Sequence, residues 1–557
     1  QVDPFNYGST STSATRSNNL ATHMQTYTAG EDTSRLAEMA REFGLQQQRK
    51  PRHQVRERVN VPLRNLRVLY GRILDSEFAN IRMRSVYTSH DAFEFDEVSA
   101  ELLGRPPSWM EDRRFEDEQE GGDDRRIPEE DLHAQGLGGD LPSAVLGIIK
   151  GMVGPAILYL PHGFANAGWA VAIPILILCT ILFLSSSACL LDSWKLESSK
   201  ATAANALLQK QPKRVILSYP ELAYRALGVP GEMMVKIGIA LMQSGVCLTY
   251  LIFVPQNLKT VTKILMGYDI DASYFMIVML LFQIPLSWIR DIRKLTITNL
   301  LANILILYGL ITCLGFAFAN AVQSEAGRGP LEEIYYKFTN LDAFKSGWFL
   351  FIGTSVLLFE GSITLLVPLQ EAVYREEDRK KFPEVYQKVI FCIISFYTFF
   401  GIICWMSFGD DVKTVMTTSL PEGTLATTVQ LAYSIAVIFT FPLQNFPSLE
   451  IATSSIASSM HKTCGDTTSL LQHRNAIASC LVCILALVAI ATMESLDKVV
   501  SLMGSMLGCP LAFVFPPVIQ NNLDANLSPS RRKTNWIIAS LGFCAMLLAS
   551  VTTLITW

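Results

Sequence analysis

The sequence predicts an all-α polytopic membrane protein: eleven transmembrane helices behind a long polar tail. Three observations predict it. Half of the 557 residues are hydrophobic and only 17% are charged, with a mean hydropathy of +0.29, a balance foreign to water-soluble globules. Charge is unevenly spread: residues 1–140 hold 18 Lys/Arg and 25 Asp/Glu, which leaves 28 and 25 for the other 417, so a net charge of −7 precedes one of +3. From Leu141 onward, apolar segments recur at about 143–165, 169–191, 233–256, 273–289, 295–319, 346–368, 385–408, 425–446, 474–492, 497–519 and 534–556, each near the roughly 20 residues that cross about 30 Å of hydrocarbon.

Residues 1–140 contain no apolar run able to offset the entropy of ordering, so they are read as a disordered, charged cytoplasmic tail ahead of a helical domain at 141–557. Within the tail, residues 35–84 carry 12 basic and 5 acidic groups, and 91–131 carry 5 and 16. Arg64–Arg84, with Leu66, Val68, Leu69, Ile73, Leu74 and Phe78 between its arginines, has two readings: a solvated linker, or a basic amphipathic helix on an anionic leaflet. The tail's expected partners are therefore anionic lipid or a cytosolic protein. Nucleic acid is not expected, because no basic face stands outside the tail.

The connections fix an orientation. Alternate ones carry about twenty Lys/Arg, span edges included, against about seven in the other set. The positive-inside rule then places the amino terminus in the cytoplasm and Trp557 on the luminal side. Ten of the eleven cysteines fall in apolar runs, so no disulfide framework is expected. Cys480 and Cys483 have CxxC spacing but no second pair or nearby His, and are read as packing residues rather than a metal or redox site.

Two spans are interrupted. The first runs Lys150-Gly151-Met152-Val153-Gly154-Pro155-Ala156 through its middle. Pro155 cannot donate an N–H and clashes with the preceding turn, while Gly151 and Gly154 tolerate unwound dihedrals and close approach of a ligand. The sixth carries Gly353-Thr354-Ser355 and then Phe359-Glu360-Gly361-Ser362. Matching interruptions five helices apart predict an inverted repeat of five plus five helices and one more, with a site at midplane. A broken helix offers N–H groups to a carboxylate at one end and carbonyls to an ammonium at the other. One small zwitterion satisfies both, so an amino acid is the favoured ligand class; the competing reading is two kinks at packing contacts.

Ionisable groups in these spans are candidates for coupling or gating. Glu360 lies deep in span 6, where burial is expensive and such groups are usually functional; its rival role is a structural hydrogen bond to span 1. Lys150 either faces the site or snorkels to the cytoplasmic edge. His162, in the turn after Pro161, titrates in the range of an acidic lumen or is a surface histidine without a task. On span 3, Gln243, Ser244 and Tyr250 either line the cavity or bond between helices. Phe441–Pro447 on span 8, and Gly508-Cys509-Pro510 with Pro516-Pro517 on span 10, are read as hinges. The Ser218–Ala223 stretch starts a short cytoplasmic helix, with Pro220 in its first turn and Glu221 at its positive end.

The run Ile149–Pro161, followed by Ala165-Asn166-Ala167-Gly168-Trp169, resembles the first span of the amino acid/auxin permease family. Phe359-Glu360-Gly361 with Val367-Pro368-Leu369-Gln370-Glu371 resembles the sixth span of that family's vacuolar and lysosomal branch, and Tyr219–Tyr224 and Ser501–Ser505 agree. The likeness runs from about 140 to 557. It implies an eleven-helix carrier of the LeuT type that moves amino acids, most often with protons. Carried across, the substrate-binding positions are Gly151, Met152, Val153, Gly154, Pro155, Ala156, Thr354, Ser355, Phe359 and Gly361, with Tyr250 beside them from the reading of span 3. The chain departs from the family at Pro155, where the motif usually has Thr or another small residue.

The resulting expectation is a secondary active transporter that exports amino acids, neutral ones first, from vacuole or lysosome to cytosol by proton symport and alternating access. Neither a zincin pair nor a nucleophile elbow occurs in or near the spans, so no enzyme, metal or cofactor is expected. The rival functions are an amino-acid sensor that signals through the tail, a plasma-membrane importer, and a passive channel, which would need a continuous polar lining where the spans carry only isolated polar groups.

Overall fold

The computed structural model describes residues 141–207, 217–289, 296–323, 328–373, 375–464 and 468–557. The tail and its Arg64–Arg84 segment lie outside the described residues. Among these, the regular elements are helices.

The first apolar segment is two helices, α1 (Leu141–Met152) and α2 (Leu160–Ala167), joined by a tight 3-10 turn at Pro155–Tyr159. The axis bends by 41° there. Gly168 ends α2 at φ +81°, packed against the Ala343 carbonyl, so a side chain at this position would be both strained and obstructed. The next helices are α3 (Trp169–Leu207), α4 (Tyr219–Met266), α5 (Ala272–Ser287), α6 (Thr296–Val322) and α7 (Pro330–Thr339). At the start of α4 the Ser218 hydroxyl accepts from the Glu221 N–H, and Gly228 at φ +71° sets this opening turn apart from the long apolar part. The cytoplasmic helix read from Ser218–Ala223 is thus the first leg of α4.

The sixth segment is also broken, into α8 (Trp348–Leu357) and α9 (Glu360–Ala372). Then follow α10 (Glu376–Phe408), α11 (Thr424–Cys464), α12 (Thr468–Thr492), α13 (Leu496–Leu502), α14 (Phe515–Leu523) and α15 (Pro529–Ile555). Between α13 and α14 the chain widens into two π-helical stretches, Met503–Gly508 and Pro510–Val514, around the expected hinge Gly508-Cys509-Pro510. By contrast, α11 runs through Pro442 and Pro447 unbroken. Pro442 leaves the Ile438 carbonyl without its helical partner, and Gln283 Nε2 on α5 donates to that oxygen at 3.1 Å.

Eight helices among the described residues are long and apolar enough to span a membrane, or nine with the bent first pair. That is fewer than eleven. Ala272–Ser287 is short, and segments 474–492 and 497–519 run together as one 50-residue helical stretch, Arg474–Leu523. The broken α8–α9 span is the most enclosed, with 89% of its apolar window buried, against 33% for α15. A helix that is apolar yet buried all round belongs at the centre of the bundle. Phe183 stacks on Phe359 at 4.4 Å, and Phe164 meets Phe351 at 5.0 Å. Cys480 and Cys483 point outward from α12 rather than into the packing.

Candidate site at the broken helices

The two interrupted spans meet where both lack side chains. A Cβ on Gly361 would overlap the carbonyl of Gly151, and one on Gly151 would press to 2.6 Å from Leu365 and 3.2 Å from the Gly361 carbonyl. Gly151 lies four residues before Pro155, so the carbonyl that the proline strips of a helical partner is the one that faces α9. The Met152 carbonyl, at the end of α1, accepts from the Tyr397 hydroxyl on α10 at 2.8 Å. The break in span 1 is therefore fixed from two sides.

Beside this contact lies a cavity of about 120 Å³ lined by α1 and its 3-10 turn, α4, α6, the α8–α9 break and α11. It is well below the roughly 300–1,000 Å³ of drug-sized pockets, so it suits a small solute. Of the residues expected from sequence, Lys150, Gly151, Met152, Val153, Gly154, Pro155, Ala156, Gln243, Tyr250, Glu360 and Gly361 line it. Lys150 and Glu360 are the charged groups of the lining, one of each sign.

Glu360 opens α9. Its Oε1 accepts from Gln243 Nε2 on α4 and, at 3.2 Å, from Gln444 Nε2 on α11, while its backbone carbonyl accepts from the Thr364 hydroxyl at 3.0 Å. Two other spans thus converge on the carboxyl group of a third. Such a group at the start of a helix also sits at the positive end of the helix dipole.

Five expected residues lie elsewhere. Thr354 and Ser355 are buried inside α8, which continues through Gly353, and the Thr354 hydroxyl bonds back to the Leu350 carbonyl at 3.1 Å. Gly353 serves packing rather than unwinding: a Cβ there would overlap the backbone of Ser501, and one on Gly504 the backbone of Gly353. The break falls instead at Leu358-Phe359, and Phe359 turns away from the cavity onto Phe183. His162 is in helix α2, not in a turn, and its Nδ1 donates to the Val412 carbonyl at 2.8 Å. Ser244 is also absent from the lining.

Several lining residues are not expected from sequence: Tyr159, Thr249, Asn299, Asn303 and Thr364, while Gln444 figures there only as part of a hinge. Asn299 and Asn303 carry a signal that was available, two carboxamides four apart on an apolar helix, and hence on one face.

A bundle of apolar helices around a small cavity with polar side chains in its lining, at two helix breaks, is the build of a membrane solute carrier. The chain belongs to the family described as "Transmembrane amino acid transporter protein", which matches residues 138–556. It is 28% identical over 428 residues to vacuolar amino acid transporter 3 of Saccharomyces cerevisiae, an alignment covering 74% of this chain and 56% of that protein. Vacuolar amino acid transporter 4 of the same yeast is 26% identical, with 72% and 56% covered. The chain thus spans little more than half the length of these relatives. Among solved structures, the inward-facing conformation of Mhp1 aligns at 14% identity and a TM-score of 0.46, over 73% of this chain and 88% of that one.

Proposed function

We propose that this chain is a secondary active transporter carrying neutral amino acids from the vacuolar or lysosomal lumen to the cytosol with protons, by alternating access. The observation that carries this reading is the cavity at the two broken helices, with one cationic and one anionic side chain, Lys150 and Glu360, in its lining. A balanced pair beside two helix ends complements a zwitterion whose own side chain is uncharged. The vacuolar transporters among its relatives support the compartment. Glu360 is the proton-carrying candidate, and a difference of one pH unit supplies about 1.4 kcal/mol per proton.

In this reading the bundle has eleven spans of the LeuT type: Ala272–Ser287 crosses as a short helix, and the 50-residue stretch folds at the 3-10 turn Met493–Ser495. A 50-residue helix at 1.5 Å per residue would measure about 75 Å, far more than a bilayer's hydrocarbon. The amino terminus is cytoplasmic and Trp557 luminal. A panel of labelled amino acids presented to proteoliposomes of the full chain tests the function. Saturable uptake with counterflow of neutral amino acids is expected; saturable binding without flux under any gradient would replace the carrier by a sensor.

A further inference from the structure

The reading of Glu360 as a proton carrier leaves a physical problem that the surrounding side chains answer. A carboxyl group that changes charge inside a bundle needs hydrogen-bond partners in both states. Ionised, it only accepts; protonated, it must also donate. Backbone N–H groups and ammonium groups serve the first state and fail the second.

Glu360 is met instead by two carboxamides, Gln243 from α4 and Gln444 from α11, both donating Nε2–H to the same Oε1. Gln243 is 4% exposed, on a span whose apolar window is 72% buried. A buried carboxamide on an apolar span is expensive unless it is bonded. The other titratable or charged side chains of the same cavity are Lys150 on α1, Tyr159 on the 3-10 turn and Tyr250 on α4; α6 and α11 contribute only uncharged polar groups, Asn299, Asn303, Thr440 and Gln444.

We propose that Gln243 and Gln444 are positioning residues for Glu360, serving both of its protonation states by turning their carboxamides. With the carboxylate ionised, both NH2 groups donate to it. When a proton from the lumen adds to the carboxylate, one carboxamide turns by half a rotation and its carbonyl oxygen accepts the new O–H. No covalent bond of either glutamine changes. Because α4, α9 and α11 share this cluster, proton arrival rearranges the contacts that hold the α8–α9 break to its neighbours. The proposal rests on the proton-carrying role of Glu360, and its test separates the two.

The experiment measures initial uptake of an equimolar mix of labelled alanine, glutamine and leucine into proteoliposomes across a range of outer pH, for wild type, Gln243→Met, Gln444→Met and Glu360→Gln. Methionine keeps the length and removes both bonding functions. Because a charge-assisted bond is roughly twice as strong as a neutral one, the ionised state loses more, and the midpoint of the pH profile is expected to move up by about half a unit to one unit in each glutamine variant. In a Glu360→Gln background the glutamine changes are expected to shift nothing further. If Glu360→Gln removes the pH dependence while both glutamine variants keep the wild-type midpoint, the positioning role is overturned and the proton-carrying reading stands. If Glu360→Gln keeps the wild-type profile, both fall. Gln444 is only half-buried, so Gln444→Met decides alone should Gln243→Met fail to fold.

Discussion

At the scale of single residues, the site depends on what is missing as much as on what is present. Gly151 and Gly361 let two backbones touch where any side chain would stand between them. Gly361→Ala is therefore expected to abolish uptake and to destabilise the bundle by about 3 kcal/mol or more, since the obstructing atom is backbone and cannot rotate away. Gly315→Ala on α6 is the control: nothing lies within 4 Å of its Cβ, and its melting temperature and uptake should match wild type or slightly exceed it. Thermal melting in detergent beside an uptake assay checks both. The break is legible in Pro155, but glycine's role is not legible at Gly151, which stays helical in α1 and serves close packing against Gly361 rather than unwinding. Nor is it legible at Gly353, where close packing against Ser501 and Gly504 gives the same letter. Glu360 was legible because a carboxylate deep in an apolar run is costly anywhere; its partners Gln243 and Gln444 sit 117 and 84 residues away, a pairing that only the fold discloses.

At the scale of elements, prolines and carboxamides compensate one another. Pro442 removes the donor that would satisfy the Ile438 carbonyl, and Gln283 on the neighbouring α5 replaces it. Gln283→Leu is expected to lower stability by about 1 kcal/mol, and Pro442→Ala in the same chain to recover most of the loss by restoring a helical N–H. Melting temperatures of the two single variants and the double variant measure the coupling; a Pro442→Ala that fails to rescue would mean that Gln283 matters through packing alone. A second tie holds the first leg of α4: Glu371, near the end of α9, accepts from Trp194 Nε1 on α3 at 2.6 Å and from the Leu217 N–H at 3.2 Å. Glu371→Ala orphans two donors on enclosed residues, Trp194 at 4% and Leu217 at 0% exposure. It should cost about 2 kcal/mol, read as a loss of thermal stability, and free the Ser218–Leu227 leg, read as faster amide exchange there. Hydropathy located each of these helices because lipid demands long apolar runs. It does not choose between the two expected interruptions of span 6: the break falls at the front of the second, at Leu358-Phe359, where neither residue has the backbone signature of glycine or proline.

At the scale of the whole molecule, the enclosed α8–α9 span and the exposed α15 define an inside and an outside for the bundle. In the proposed orientation, which rests on the alternating distribution of Lys and Arg, an epitope added after Trp557 should resist external protease in intact vacuolar vesicles and yield once detergent is present. Accessibility before detergent would invert the orientation and, with it, the direction in which the pH gradient drives export. Composition and periodicity sufficed for the class of protein, because a chain with half its residues apolar has few other solutions. The proposed substrate and coupling rest on the small cavity at the helix breaks and are decided by flux. The most direct measurement is accumulation of labelled neutral amino acids in proteoliposomes under an imposed pH gradient, wild type beside Glu360→Gln. Uphill accumulation in the wild type that collapses to simple equilibration in Glu360→Gln is the predicted result; equal accumulation with and without the gradient, or in both proteins, would contradict proton-coupled transport through this carboxyl group.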